Sequence, residues 1–142
     1  MKKIISIIAC CILSLSAFAQ DAYVVWSHKV EKVENDLYKV IFSAKIKEGY
    51  HSYSIKDEIS ATEFLDCSVT GGKLEGEVIE TLKAITYPDG SLCYEGEMEY
   101  VQLIRLQAAE ALYSGTIYTD ACKKGEGCHS EYYDFEISLK SR

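Results

Sequence analysis

Of the 142 residues, 48% are hydrophobic, 26% are charged and one is proline, which excludes a disordered or collagen-like chain and leaves room for one compact domain. The formal charge is −7, and a net acidic chain is a poor ligand for nucleic acid or for an anionic membrane surface.

The N-terminus reads as a secretory signal peptide over residues 1–19. Met1-Lys2-Lys3 is basic, Ile4 to Ser16 is almost wholly apolar, and Ala17-Phe18-Ala19 has the small-x-small form of a cleavage site. A lipoprotein anchor at Cys10 would leave an apolar segment shorter than signal peptides use, so cleavage after Ala19 is the expectation. The longest later apolar run is Ala22 to Trp26, too short for a membrane span, and the mature chain is expected to be soluble and exported. Residues 20–142 then carry 13 basic and 22 acidic side chains, a formal charge of −9. Four cysteines remain, Cys67, Cys93, Cys122 and Cys128, in a compartment where disulfides persist. Four cysteines allow three full pairings, and spacing alone does not choose among them.

Along the mature chain the dominant period is two. Val24, Trp26, His28 and Val30 alternate with more polar residues, Glu34-Asn35-Asp36 supplies turn chemistry, and Tyr38, Val40, Phe42, Ala44 and Ile46 alternate again. The pair predicts a hairpin, with Trp26 and His28 on the core side. Leu65, Cys67 and Val69 predict a third strand, in which Cys67 is an inert core thiol. Met98 to Leu106, Leu112 to Ala121 and Tyr133 to Leu139 add β-rich segments, while Gln107 to Ala111 has the composition of a single helical turn. Seven or so short strands predict one all-β domain, an immunoglobulin-like β-sandwich, without the tryptophan and tyrosine marks of antibody domains.

The segment richest in chemistry is Cys122-Lys123-Lys124-Gly125-Glu126-Gly127-Cys128-His129. Its glycines let the loop fold back and bring two sulfurs into bonding range. Three uses are open. A structural staple over so short a loop stabilises by roughly 2.4 kcal/mol, against nearly 5 for a loop of about 100 residues. A redox pair needs two close sulfurs on a turn that a partner can reach, and Lys123 and Lys124 favour a thiolate there. A zinc site could combine Cys122, Cys128 and His129 with Cys93 or Cys67, although the spacing is wider than usual.

The segment, preceded by Ile117-Tyr118 and followed by Phe135 to Leu139, resembles the N-terminal periplasmic domain of DsbD-type thiol:disulfide interchange proteins, the disulfide bond corrector domain. Glu48-Gly49-Tyr50-His51-Ser52-Tyr53 is similar to that family's acid-Gly-Tyr-x-x-Tyr segment. The resemblance implies one reversible disulfide and no cofactor or metal. Cys128 would form the mixed disulfide, Cys122 would resolve it, and His51 and Tyr53 would wall the site or move protons. A cap loop over the sulfurs would fall at Leu92, Cys93 and Tyr94, where the family's phenylalanine is missing. Partners implied are a thioredoxin-like donor and periplasmic disulfide isomerases or cytochrome c maturation proteins. The family's membrane and thioredoxin-like portions are absent here, so the donor would be another polypeptide. From a different class, a non-catalytic secreted sandwich that binds protein or glycan would use the same disulfide only as a brace.

Overall fold

The computed structural model describes residues 22–141; the segment expected to be a signal peptide, with Cys10, lies outside them. Ten strands follow in chain order: β1 (Val24–Glu34), β2 (Leu37–Ile46), β3 (His51–Tyr53), β4 (Glu63–Thr70), β5 (Gly72–Glu80), β6 (Ile85–Thr86), β7 (Leu92–Glu95), β8 (Glu97–Leu106), β9 (Glu110–Lys123) and β10 (Gly127–Lys140). One sheet has the order β1-β2-β8-β5; in the other, β10-β9-β3-β7-β6, strand β4 shares the β9 edge with β3. Every pairing between these strands is antiparallel.

Setting aside the short β3, β6 and β7, the seven remaining strands read A to G in chain order. The sheets are then A-B-E-D and G-F-C, the arrangement of a constant-type immunoglobulin sandwich. The all-β, immunoglobulin-like architecture expected from the alternation is therefore present, with no helix among the described residues.

The alternation in β2 has the effect that a half-buried strand requires. Tyr38, Val40, Phe42, Ala44 and Ile46 all point into the core, where they meet Met98, Tyr100 and Ile104 of β8 and Tyr113, Ile117, Phe135, Ile137 and Leu139 of the facing sheet. Phe42 is fully buried between the sheets, with its ring centroid 4.8 Å from Phe135, 5.5 Å from Phe64 and 6.1 Å from Tyr113. Aromatic pairs at these separations stabilise beyond the area they bury.

Three expectations differ in detail. Gln107–Ala109 is a bend between β8 and β9, not a helical turn, because the Gln107 N–H is taken by the Gly71 carbonyl at 2.9 Å and β9 begins at Glu110. His28 is exposed at the sandwich edge, its Nδ1 2.9 Å from the Tyr133 hydroxyl, while Trp26 packs on the core as expected. Cys67 is half-buried, next to a bulge that places Asp66 at φ 51°, and its Sγ occupies the space that a side chain at Gly115 would fill. Burial pushes the Cys67 thiol up.

Polar anchors fix the end of the sandwich that carries the cysteines. The Asp57 carboxylate accepts the N–H groups of Ile59, Ser60 and Leu92 at 3.1, 2.8 and 2.9 Å, tying the segment after β3 to the start of β7. Burial raises its pKa, but those three donors outweigh it and hold the carboxyl below the usual range. Glu80 accepts from Ser54 Oγ, the Ile55 N–H and the Tyr94 hydroxyl, joining β5 to the layer around β3 and β7.

Candidate redox site

β9 and β10 form one long hairpin in continuous register from Lys140↔Glu110 to Gly127↔Lys123. Its turn, Lys124-Gly125-Glu126, closes with the Glu126 N–H on the Lys123 carbonyl at 3.0 Å. Gly125 and Gly127 sit at φ 85° and 84°, a region that L side chains rarely enter, so the two glycines let so tight a return form. The register sets Cys122 directly opposite Cys128 with their Cα atoms 4.0 Å apart, and the two are joined by a disulfide. Of the three possible pairings this leaves Cys67 and Cys93 as free thiols.

The two sulfur-bearing residues differ in access. Cys128 is exposed on the outer strand of the hairpin, whereas Cys122 is 4% exposed, covered by β3 on its inner side. An open cleft of about 460 Å³ lies over them, lined by His51, Tyr53, Tyr87, Pro88, Asp89 and the cysteine hairpin.

The register of β3 explains how the two aromatic residues reach this cleft. His51 pairs with Cys122 on one side and with Glu95 on the other, and Tyr53 pairs with Cys93. Because side chains two apart share a face, His51 and Tyr53 both lie beside the disulfide. His51 Nε2 is 3.3 Å from the Tyr53 hydroxyl, and its ring centroid is 4.9 Å from that of Tyr87. Burial lowers the His51 pKa, against the opposing charges of Glu95 and Asp89, and burial raises that of Tyr53. Both shifts favour the uncharged side chain.

The stretch expected to form the cap is displaced by a few residues. Leu92, Cys93 and Tyr94 lie in β7 and do not line the cleft; Cys93 is fully buried, and Tyr94 is turned inward to donate to Glu80 and to the Leu82 carbonyl. The residues of this region that line the cleft with the cysteines are Tyr87, Pro88 and Asp89, in the loop between β6 and β7. The Tyr87 hydroxyl donates to Glu95, and the Tyr87 N–H donates to the Ser91 carbonyl at 2.8 Å. Cys93 is separated from the pair by the whole of β3, and burial pushes its thiol up.

A second cluster braces the turn of the hairpin. The Tyr50 hydroxyl donates to Glu126 Oε2 at 2.8 Å, and Lys123 Nζ meets Glu126 Oε1 at 3.3 Å. That hydrogen bond to a carboxylate, with burial, pushes the Tyr50 pKa up to about 12. Tyr23 stacks on His129, with ring centroids 3.9 Å apart and planes 7° from parallel. His129 alternates with Cys128 along β10 and so faces away from the disulfide; the zinc set of Cys122, Cys128 and His129 does not converge. No cluster of three or more His, Cys, Asp or Glu side chains fit to hold a metal occurs among the described residues.

No family model matches the chain, and no curated protein does. Among solved structures it is similar to the GAE domain of yeast GGA1, at 9% identity over 87% of this chain and 96% of that one, with a TM-score of 0.43. It is also similar to the N-terminal domain of Neisseria meningitidis DsbD in the reduced form, at 15% identity over 82% of this chain and 90% of that one, with a TM-score of 0.38.

Proposed function

We propose that this chain is an exported thiol:disulfide exchange protein that carries reducing equivalents through the Cys122–Cys128 pair. The observation that carries the reading is the unequal access of the two residues: Cys128 is exposed below an open cleft and Cys122 is buried behind it. An attacking thiolate must approach one sulfur and expel the other, so a pair with one exposed and one sheltered member gives exchange a fixed order.

In the oxidised protein, a thiolate of a thioredoxin-like donor attacks Cys128 Sγ, forming a mixed disulfide and releasing Cys122 as thiolate. The donor's second thiol then attacks its own bridged sulfur. This frees Cys128 and leaves the donor oxidised by two electrons. In the return step, the Cys128 thiolate attacks the disulfide of an acceptor, and Cys122 attacks Cys128 Sγ to expel the reduced acceptor. Lys124 follows Cys122 in the turn and favours thiolate forms, while the Lys123 charge is paired with Glu126. Tyr53 and His51 take or return the protons, and Tyr87, Pro88 and Asp89 line the cleft that an incoming partner meets. Acceptors of the kind that the resemblance implies are periplasmic disulfide isomerases and cytochrome c maturation proteins.

A purely structural disulfide has little left to do in this position. The cysteines are six residues apart in a hairpin that its own ladder already holds in register. A brace of that loop length constrains the unfolded chain weakly.

Mass mapping of the cysteines under native conditions tests the proposal. Mild dithiol treatment is expected to open Cys122–Cys128 with the β-sheet circular dichroism unchanged, and reoxidation to restore the same linkage. A bond that opens only in denaturant would identify the non-catalytic module.

A further inference from the structure

Five side chains form a cluster at the turn between the cysteines: Tyr23, Tyr50, Lys123, Glu126 and His129. Lys123 directly follows Cys122, Glu126 stands two residues before Cys128, and His129 directly follows it. Glu126 joins the two sides of the turn, pairing with Lys123 through one carboxylate oxygen at 3.3 Å and accepting from the Tyr50 hydroxyl through the other at 2.8 Å. Tyr50 is itself fixed: it is 7% exposed, its N–H donates to the Lys47 carbonyl at 3.0 Å, and its ring lies 4.9 Å from that of Tyr23. Tyr23 in turn stacks on His129 and donates its N–H to Glu131 Oε1 at 2.9 Å. Both flanks of the disulfide are thus fastened to the segments on either side of the first hairpin.

We infer that the Tyr50–Glu126–Lys123 network is a positioning device that sets the redox equilibrium of the pair by holding the turn in its bonded geometry. The inference rests on the exchange function proposed above. Reduction breaks the Sγ–Sγ bond and takes two electrons and two protons from a dithiol, which becomes a disulfide. The freed sulfurs must then move apart to non-bonded contact. A turn held closed by side chains on both limbs resists that separation and favours the oxidised form. Glu126 also keeps the Lys123 charge engaged. Without it, the ammonium would favour a neighbouring thiolate and so the reduced form. Both effects have the same sign.

Equilibration of the folded protein in dithiothreitol redox buffers, read by alkylation and mass, tests this. Tyr50→Phe deletes one hydroxyl and Glu126→Gln one charge, so each is expected to keep the fold. Each should shift the equilibrium constant roughly three- to tenfold toward the dithiol, since hydrogen bonds to charged groups are the stronger ones and tenfold corresponds to about 30 mV. The double variant should shift little further than the larger single one, because the two groups form one network. Constants within twofold of the parent, or fully additive shifts, would overturn the positioning role and leave the exchange function standing. A parent disulfide that the buffer cannot reduce in the folded state would overturn both.

Discussion

Cys128→Ser is expected to abolish capture of a thioredoxin-like donor, whereas Cys122→Ser should convert a transient encounter into a stable covalent complex. With Cys128 gone, the remaining cysteine is 4% exposed beside β3 and offers a partner's sulfur far less access. With Cys122 gone, the accessible thiol remains but the group that would resolve the mixed disulfide is missing. The exchange rate should fall by roughly three orders of magnitude or more in either variant, as happens when one member of a catalytic unit is removed. The two losses differ in kind. Non-reducing electrophoresis after mixing with an activated donor disulfide should show an adduct with Cys122→Ser and none with Cys128→Ser. The reverse pattern would mean that access to the sulfurs is opposite to that described.

The largest stability effect should follow Phe42→Ala. This ring is wholly buried at the meeting of the two sheets, in contact distance of three other aromatic rings. Truncation removes its transfer free energy and leaves a cavity that strands fixed by their ladders cannot easily close. The expected cost is about 4 kcal/mol, a fall in Tm on the order of 15 °C for a domain of this size. Phe42→Leu, which refills most of the volume, should cost only about 1 to 1.5 kcal/mol. Thermal melts of the two variants check this. At a temperature where Phe42→Ala is still folded, the dithiol equilibrium of Cys122–Cys128 should be unchanged, because the site is held by the hairpin and β3 and not by this layer.

The strands that build the core were legible because burial on one face writes a period of two into the sequence. β2, β8, β9 and β10 all carry it, and they supply most of the buried rings. β5 was not legible: Gly76 interrupts it, its charged residues alternate poorly, and its pairing with β8 breaks at a bulge between Glu75 and Ile79. Of the candidate site, the cysteine pair and the neighbouring His51 and Tyr53 could be picked out because they sit in local motifs. Tyr87 could not, because nothing in its own neighbourhood marks it. It reaches the cleft through the antiparallel pairings of β3 with β7 and of β7 with β6. The same is true of Tyr23, which lies 106 positions from its stacking partner His129 and meets it only once the two sheets have closed. Cys93 shows the opposite error. Its place in the chain suggested a third sulfur beside the pair, yet the whole of β3 intervenes and the thiol is fully buried.

The most direct measurement is a thiol count on the oxidised, folded protein after it is mixed with a reduced thioredoxin-like donor. Two new alkylatable thiols per chain are expected, at Cys122 and Cys128, equal in number to those the donor loses, with the sheet signal intact. No new thiols, or thiols that appear only as the sheets melt, would contradict the exchange function.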